Sequence, residues 1–155
     1  MKLAEALALR GDAQKRFEQL RTRAQSNARY QEGEPPPEDA GELLAEADRV
    51  LVELEDLIRR INRTNAGTTI EAGVTLTDAL ARRDVLRLRQ SLYSGLADAA
   101  TGRTGSGARQ LRSELRYLSA LSVTDLRTTA DGVAQEHREL DMKIQQANWE
   151  ADLAD

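Results

Sequence analysis

The chain matches itself in two places, and this internal repeat constrains the fold more than any other feature of the sequence. Residues 47–65 align without gaps on residues 130–148, an offset of 83, with seven identical positions. The identical apolar residues have the spacing of one face of a helix. Residues 3–16 also match residues 76–89, at an offset of 73. We therefore predict a duplicated helical hairpin whose second copy is longer by ten residues, the difference between the two offsets.

The composition favours one helical domain of 155 residues, because 40% of the chain is apolar and only 3% is aromatic. The chain has no cysteine, which excludes disulfides, thiolate metal sites and a cysteine nucleophile. Its net charge is −4 with both signs mixed, so we expect no nucleic-acid partner. No export signal and no apolar stretch of membrane-spanning length is visible. We expect a cytoplasmic protein with no membrane partner.

The first half of the chain predicts two helices. Helix 1 covers residues 4–30 and ends at the proline run 35–37, and a capping box at residues 39–42 opens helix 2, which continues to about residue 64. The apolar face of helix 1 is Ala6, Ala13, Phe17, Leu20 and Ala24. Helix 2 carries a main stripe of Leu43, Ala47, Val50, Leu54, Leu57 and Ile61, and a flanking stripe of Leu44, Leu51 and Ile58. A stripe this wide contacts more than one partner helix and favours self-association.

The second half predicts a small β element and two more helices. β-branched residues on both sides of Gly73 indicate a hairpin within residues 66–76. Helix 3 follows from Thr77 or Asp78 to about Ala100, with an apolar side formed by Leu80, Val85, Leu88, Leu92, Leu96 and Ala99. The Gly-rich residues 101–108 predict a flexible loop.

The stretch 112–121 has two interpretations: its period of two predicts a partial strand, although the leucine spacing also suits a helix. A capping box at residues 122–125 then opens helix 4, which ends near Trp149. The seam of helix 4 is Leu126, Ala130, Val133, His137, Leu140, Ile144 and Ala147.

Several passages resemble the septicolysin-like family of small bacterial proteins. They are residues 1–7, residues 61–65 followed by 73–84, residues 138–141, and residues 144–149. The resemblance covers nearly the whole chain, and it implies a helical protein of uncharacterised function with no established catalytic residues. The family name suggests a cytolysin, so a pore-forming protein is a weaker alternative.

His137 is the single histidine, and Asp141 lies four residues later on the same helical face, which is the spacing of a two-ligand metal corner. A di-iron bundle would require glutamate three residues before the histidine, where this chain has Ala134. The internal repeat aligns His137 with Leu54. We therefore predict a structural histidine, no metal site and no cofactor.

A polar corner at the junction of helices 2 and 3 is the predicted ligand-binding site. Amides, guanidinium groups and a helix N-terminus suit a phosphate or carboxylate. The six candidate residues are Asn62, Arg63, Asn65, Asp78, Arg82 and Arg83. The alternative is that these side chains cap the helices and brace the corner through ion pairs.

The prediction as a whole is an all-α protein with minor β structure, an elongated bundle of coiled-coil hairpins in a single domain. The first hairpin covers residues 1–65, the junction 66–76 and the second hairpin 77–155. No set of acid, base and nucleophile is evident, so we expect a non-enzymatic homo-oligomeric scaffold or protein-interaction protein. The first alternative is a protein that binds a small anion or another ligand at the polar corner.

Overall fold

The computed structural model describes residues 1–102 and 115–155 and confirms an all-α fold with a small β element. The elements, in chain order, are α1 (Leu3–Ser26), α2 (Ala40–Gly67), β1 (Thr69–Glu71), β2 (Val74–Thr75), α3 (Leu76–Ala100) and α4 (Val123–Glu150). Most of the Gly-rich loop predicted at 101–108, and the first residues of the stretch 112–121, lie outside the described residues. No helix in the described ranges is long and apolar enough to cross a membrane.

The described chain divides into two compact units. The first comprises Met1–Leu76 and Gln145–Asp155, and the second comprises Thr77–Ile144. The first therefore contains the α1–α2 hairpin, the β-hairpin and the last turns of α4. The second contains almost all of α3 and most of α4.

In the first unit, α1 and α2 pack as an antiparallel hairpin. Arg16 forms an ion pair with Glu46 at 2.6 Å, while Arg23, further along α1, binds Glu38, which lies before α2. The core between the helices consists of Ala13, Leu20, Leu43, Ala47 and Val50, with Phe17, Ala24 and Leu54 packed at its edge. These residues confirm the apolar faces predicted for helix 1 and for the main stripe of helix 2.

The prediction that helix 1 continues to residue 30 was wrong, because α1 ends at Ser26. Asn27 explains the early end. Its side-chain amide donates to the carbonyl of Arg23 at 2.8 Å, and its side-chain oxygen accepts from the amide of Glu38 at 3.2 Å. The Asn27 side chain thus forms a hydrogen bond with the last turn of α1 and another with the segment that leads into α2. The predicted cap of α2 is confirmed, since Asp39 accepts from two amides of the first turn.

The β element also follows the internal repeat. β1 and β2 pair antiparallel around Gly73, whose φ of 79° is readily adopted by glycine. The amide of Leu76 donates to the carbonyl of Thr68 at 2.7 Å, and the amide of Leu3 donates to the carbonyl of Ala151 at 3.0 Å. Leu3 and Leu76 differ by 73, and Thr68 and Ala151 by 83, which are the two offsets of the sequence alignment. The same short backbone pairing therefore occurs twice, once as a hairpin and once between residues distant in sequence.

In the second unit, α3 and α4 also run antiparallel. Arg83 contacts Asp141 at 3.3 Å, and Asp98 contacts Arg127 at 3.1 Å. The buried residues of α3 in this unit are Ala79, Leu86 and Ala97, and those of α4 are Leu126, Ala130, Val133, Leu140 and Ile144. The seam predicted for helix 4 is confirmed.

The apolar side predicted for helix 3 was largely wrong. Val85, Leu88, Leu92 and Leu96 are all exposed, and the buried face lies on the other side of the helix. The error has a physical origin, because α3 has two apolar faces and the predicted one carries the larger side chains. The repeat indicates the buried face, since Leu86 aligns with Ala13 and both are buried.

The strand predicted within residues 112–121 was also wrong for the part that the structure describes. Residues 115–121 form no strand, and the side chains of Leu115, Tyr117 and Leu118 are exposed. A period-two pattern produces a strand only where a neighbouring strand accepts its backbone hydrogen bonds. No strand in the described ranges pairs with this stretch.

Candidate functional site

The end of α2 carries three residues of the predicted polar corner. Asn62 and Arg63 are exposed and Asn65 is half-buried. A guanidinium nitrogen of Arg63 donates to the backbone oxygen of Asp155 at 2.7 Å. This arginine therefore contacts another segment of its own unit.

Arg60 and Thr64, on the same turns of α2, bind the neighbouring residue of that segment. Arg60 Nε donates to the carbonyl of Ala154 at 2.9 Å, and the amide of Ala154 donates to the hydroxyl of buried Thr64 at 2.9 Å. The Thr64 hydroxyl in turn donates to the carbonyl of Arg60 at 2.9 Å. Sequence reasoning missed the role of Arg60, because nothing in the local sequence indicates that residues 153–155 fold against α2.

The other three residues of the predicted corner belong to α3, in the second unit. Arg82 forms an ion pair with Glu136, and Arg83 contacts Asp141. Asp78 is exposed at the first turn. Because the α2 and α3 candidates belong to different units, their joint role as an anion site stays a prediction.

Two buried nitrogen atoms in the α3–α4 hairpin have no hydrogen-bond partner among the described residues. They are Arg83 Nε and His137 Nε2. Asp141, whose spacing from His137 suits a two-ligand metal corner, contacts Arg83. Within the described ranges, no group of three or more acidic, histidine or cysteine side chains could hold a metal ion.

The exposed face of α3 is the most distinctive surface of the second unit. Its apolar side chains have exposed fractions of 61% for Val85, 71% for Leu88, 58% for Leu92 and 38% for Leu96. They recur at intervals of three or four residues and so form one continuous stripe. We call these four residues the α3 stripe.

The apolar surface of this unit extends beyond the α3 stripe. Leu96 and Ala99 line an open cavity of about 600 Å³ together with Tyr117, Leu118 and Leu121. Those last three side chains are themselves largely exposed. The surface thus combines a helix face with an irregular segment, and among the described residues no charged side chain lines the cavity.

The flanking stripe predicted on α2 is less exposed as a set than the α3 stripe. Leu44 and Leu51 are exposed and Ile58 is half-buried. Val52 is exposed as well, but it stands apart from both stripes of α2. The prediction that helix 2 presents a second apolar surface is therefore supported for Leu44 and Leu51.

Comparison with known proteins identifies relatives whose functions are also unknown. The model of a family of unknown function, DUF6847, matches residues 10–153. A crystal structure of a functionally unknown conserved protein from Corynebacterium diphtheriae shares 43% sequence identity and gives a TM-score of 0.91. That match covers 99% of this chain and 98% of the other. No curated protein matches the chain. The resemblance to the septicolysin-like family stays a prediction.

Proposed function

We propose that this chain, which belongs to the DUF6847 family of unknown function, is a non-enzymatic homo-oligomeric scaffold that assembles through the α3 stripe. One observation supports this proposal above the others. The three largest exposures in the stripe are 71%, 61% and 58%, on side chains that lie on one face of one helix.

The physical argument rests on the contiguity of these side chains. Single exposed leucines are ordinary, whereas a continuous apolar patch on a folded protein marks a contact surface. Fully burying a valine or leucine side chain contributes about 1.5–3 kcal/mol. A second copy presents the same stripe, so two copies would cover both patches in one symmetric interface.

The test is the mass of the protein in solution. Light scattering of the wild-type chain at micromolar concentration should give a multiple of 17.1 kDa. The double substitution Leu88→Glu with Leu92→Glu should produce a monomer, because assembly would bury two pairs of carboxylates without partners. Circular dichroism should show that this variant keeps its helical content.

The matched control is Val52→Glu. Val52 is 70% exposed on α2 and lies outside the α3 stripe, so replacing it with glutamate should leave the mass unchanged. A wild-type mass of one chain at micromolar concentration would overturn the proposal. A Leu88 and Leu92 double variant that is folded and still oligomeric would show that another surface drives assembly.

A further inference from the structure

The exposed face of α3 has a regular seven-residue pattern. The residues along the middle of this face are spaced four and three residues apart in turn, and all of them are exposed. These positions are Ala81, Val85, Leu88, Leu92, Gly95 and Ala99. An alternation of four and three is the spacing of a coiled-coil seam. The buried contacts of α3 with its own unit use other positions, namely Ala79, Leu86 and Ala97.

The residue types at the start of this seam favour two helices over three or four. In parallel coiled coils, a β-branched residue at the first seam position with leucine at the second favours two strands, and Val85 followed by Leu88 is such a pair. At the end of the seam, Gly95 has no side chain and Ala99 has only a methyl group. A Cβ atom added at Gly95 would meet no atom within 4 Å. A second helix can therefore approach closely there.

The charged residues beside the seam distinguish the two orientations. In a parallel pair, the residue before the first seam position faces the residue five positions later in the other helix. This places Asp84 of one copy opposite Arg89 of the second copy, and the contact occurs twice. An antiparallel pair centred on Leu88 and Leu92 would instead place Arg89 opposite Arg89.

The same antiparallel arrangement would also place Asp84 opposite Asp98 of the second copy. Like charges facing each other destabilise such a pair. Asp84 and Arg89 have room for an additional partner. Asp84 is 66% exposed with an ion contact of 3.7 Å to Arg83, and the Arg89 guanidinium carbon lies 5.9 Å from the centroid of the Tyr93 ring.

We propose that two copies pair their α3 helices parallel and in register, with Asp84 of each copy bound to Arg89 of the other. This inference rests on the proposed function, since it specifies the orientation and register of the same contact surface. The occupant of the α3 stripe is therefore a second copy of this chain.

Charge reversal provides the first test. In the parallel arrangement, Asp84→Arg creates two contacts between like charges, one at each Arg89, and should raise the dissociation constant of the dimer roughly tenfold at low salt. Arg89→Glu should have a similar effect. An equimolar mixture of the two variants should form a heterodimer of nearly wild-type affinity, because each interface position again faces the opposite charge.

The antiparallel arrangement predicts a different outcome for the same variants. There, Asp84→Arg would face Asp98 and should strengthen the dimer, so the Asp84→Arg variant on its own, rather than the mixture, distinguishes the two arrangements. Strengthening by Asp84→Arg would therefore overturn the parallel register while leaving the scaffold proposal intact. A wild-type monomer would overturn both.

Cysteine cross-linking provides the second test, because the chain has no cysteine of its own. Chains with Ala81→Cys and chains with Ala99→Cys are mixed, equilibrated and oxidised, and the disulfide-linked peptides are identified by mass spectrometry. Parallel, in-register pairing yields bonds between identical positions only. A bond between positions 81 and 99 would overturn the parallel register. Val52→Cys, on exposed α2, serves as the control that should remain uncross-linked.

Discussion

His137 is a polar side chain at a position where the first copy of the internal repeat has an apolar one. Its counterpart Leu54 packs at the edge of the α1–α2 core, whereas His137 has a buried Nε2 atom with no hydrogen-bond partner among the described residues. A buried, unsatisfied donor or acceptor costs about 1–3 kcal/mol. The imidazole therefore occupies a position at which the other copy of the repeat has an apolar side chain.

We expect His137→Leu to preserve the fold and to raise the free energy of unfolding by about 1 kcal/mol, because it removes the unsatisfied nitrogen. Chemical denaturation monitored by circular dichroism measures the change. The reciprocal substitution Leu54→His should lower the free energy of unfolding by about 1–3 kcal/mol. Stoichiometric zinc or iron in the wild-type protein, absent from His137→Leu, would contradict the structural role.

Other residue-level features could not be derived from the sequence, because they depend on contacts between distant segments. Arg63 was predicted as a ligand-binding residue, and the structure shows it bonded to the backbone oxygen of Asp155. Arg60 received no role from sequence reasoning, yet it binds the adjacent residue Ala154. An arginine near a helix end is compatible with a ligand, an ion pair or a backbone carbonyl. Only the fold decides among them.

At the scale of elements, the spacing of apolar residues predicts where the helices are better than it predicts which side of each helix faces the core. α2 and α4 each have one dominant stripe, and most residues of both stripes are buried as predicted. α3 has two, and local periodicity cannot tell which of them faces the core. Aligning α3 with α1 would have resolved this, because the buried positions Ala6 and Ala13 correspond to Ala79 and Leu86.

Ion pairs between elements produce a defined pH dependence in the α1–α2 hairpin. A hydrogen bond from Arg23 lowers the pKa of Glu38 below its ordinary value, and a hydrogen bond from Arg16 lowers the pKa of Glu46 in the same way. A carboxyl whose folded-state pKa is lowered stabilises the fold above its unfolded-state pKa. That contribution is lost as the pH falls through the lower, folded-state pKa.

We therefore expect the free energy of unfolding to fall as the pH is lowered below about 4, the region in which glutamate ordinarily titrates. The double variant Glu38→Gln with Glu46→Gln should show a weaker loss between pH 5 and pH 3, since it has fewer protons to take up on unfolding. Denaturation midpoints across this range provide the measurement. Glu55→Gln, which alters an exposed carboxylate of α2, is the control. An identical pH profile for wild type and double variant would contradict this account.

At the scale of the whole molecule, the repeat explains why two separate stretches of the chain form the same local structure. Val50 and Val133 are both buried, as are Leu57 and Leu140. The repeat extends to backbone hydrogen bonds, which sequence identity alone would not have predicted. It does not extend to exposed surfaces, because Asp12 and Lys15 of α1, which lie 4.0 Å apart as an ion pair, correspond to Val85 and Leu88 of the α3 stripe. The apolar surface on which the scaffold proposal depends lies at positions where the two copies differ.

If the repeat preserves the core, equivalent deep positions should contribute similar amounts to stability. Ile61 and Ile144 are aligned, and each is only 1% exposed. Ile61→Ala and Ile144→Ala should each lower the free energy of unfolding by about 2–5 kcal/mol, because each removes buried methylene groups and leaves a cavity. Urea denaturation provides both values, and Val52→Ala, at an exposed position, should change stability by less than about 0.5 kcal/mol. A large loss for one isoleucine with almost none for the other would mean that the two copies no longer share an equivalent core. The repeat would then describe the ancestry of the sequence rather than the present distribution of its stability.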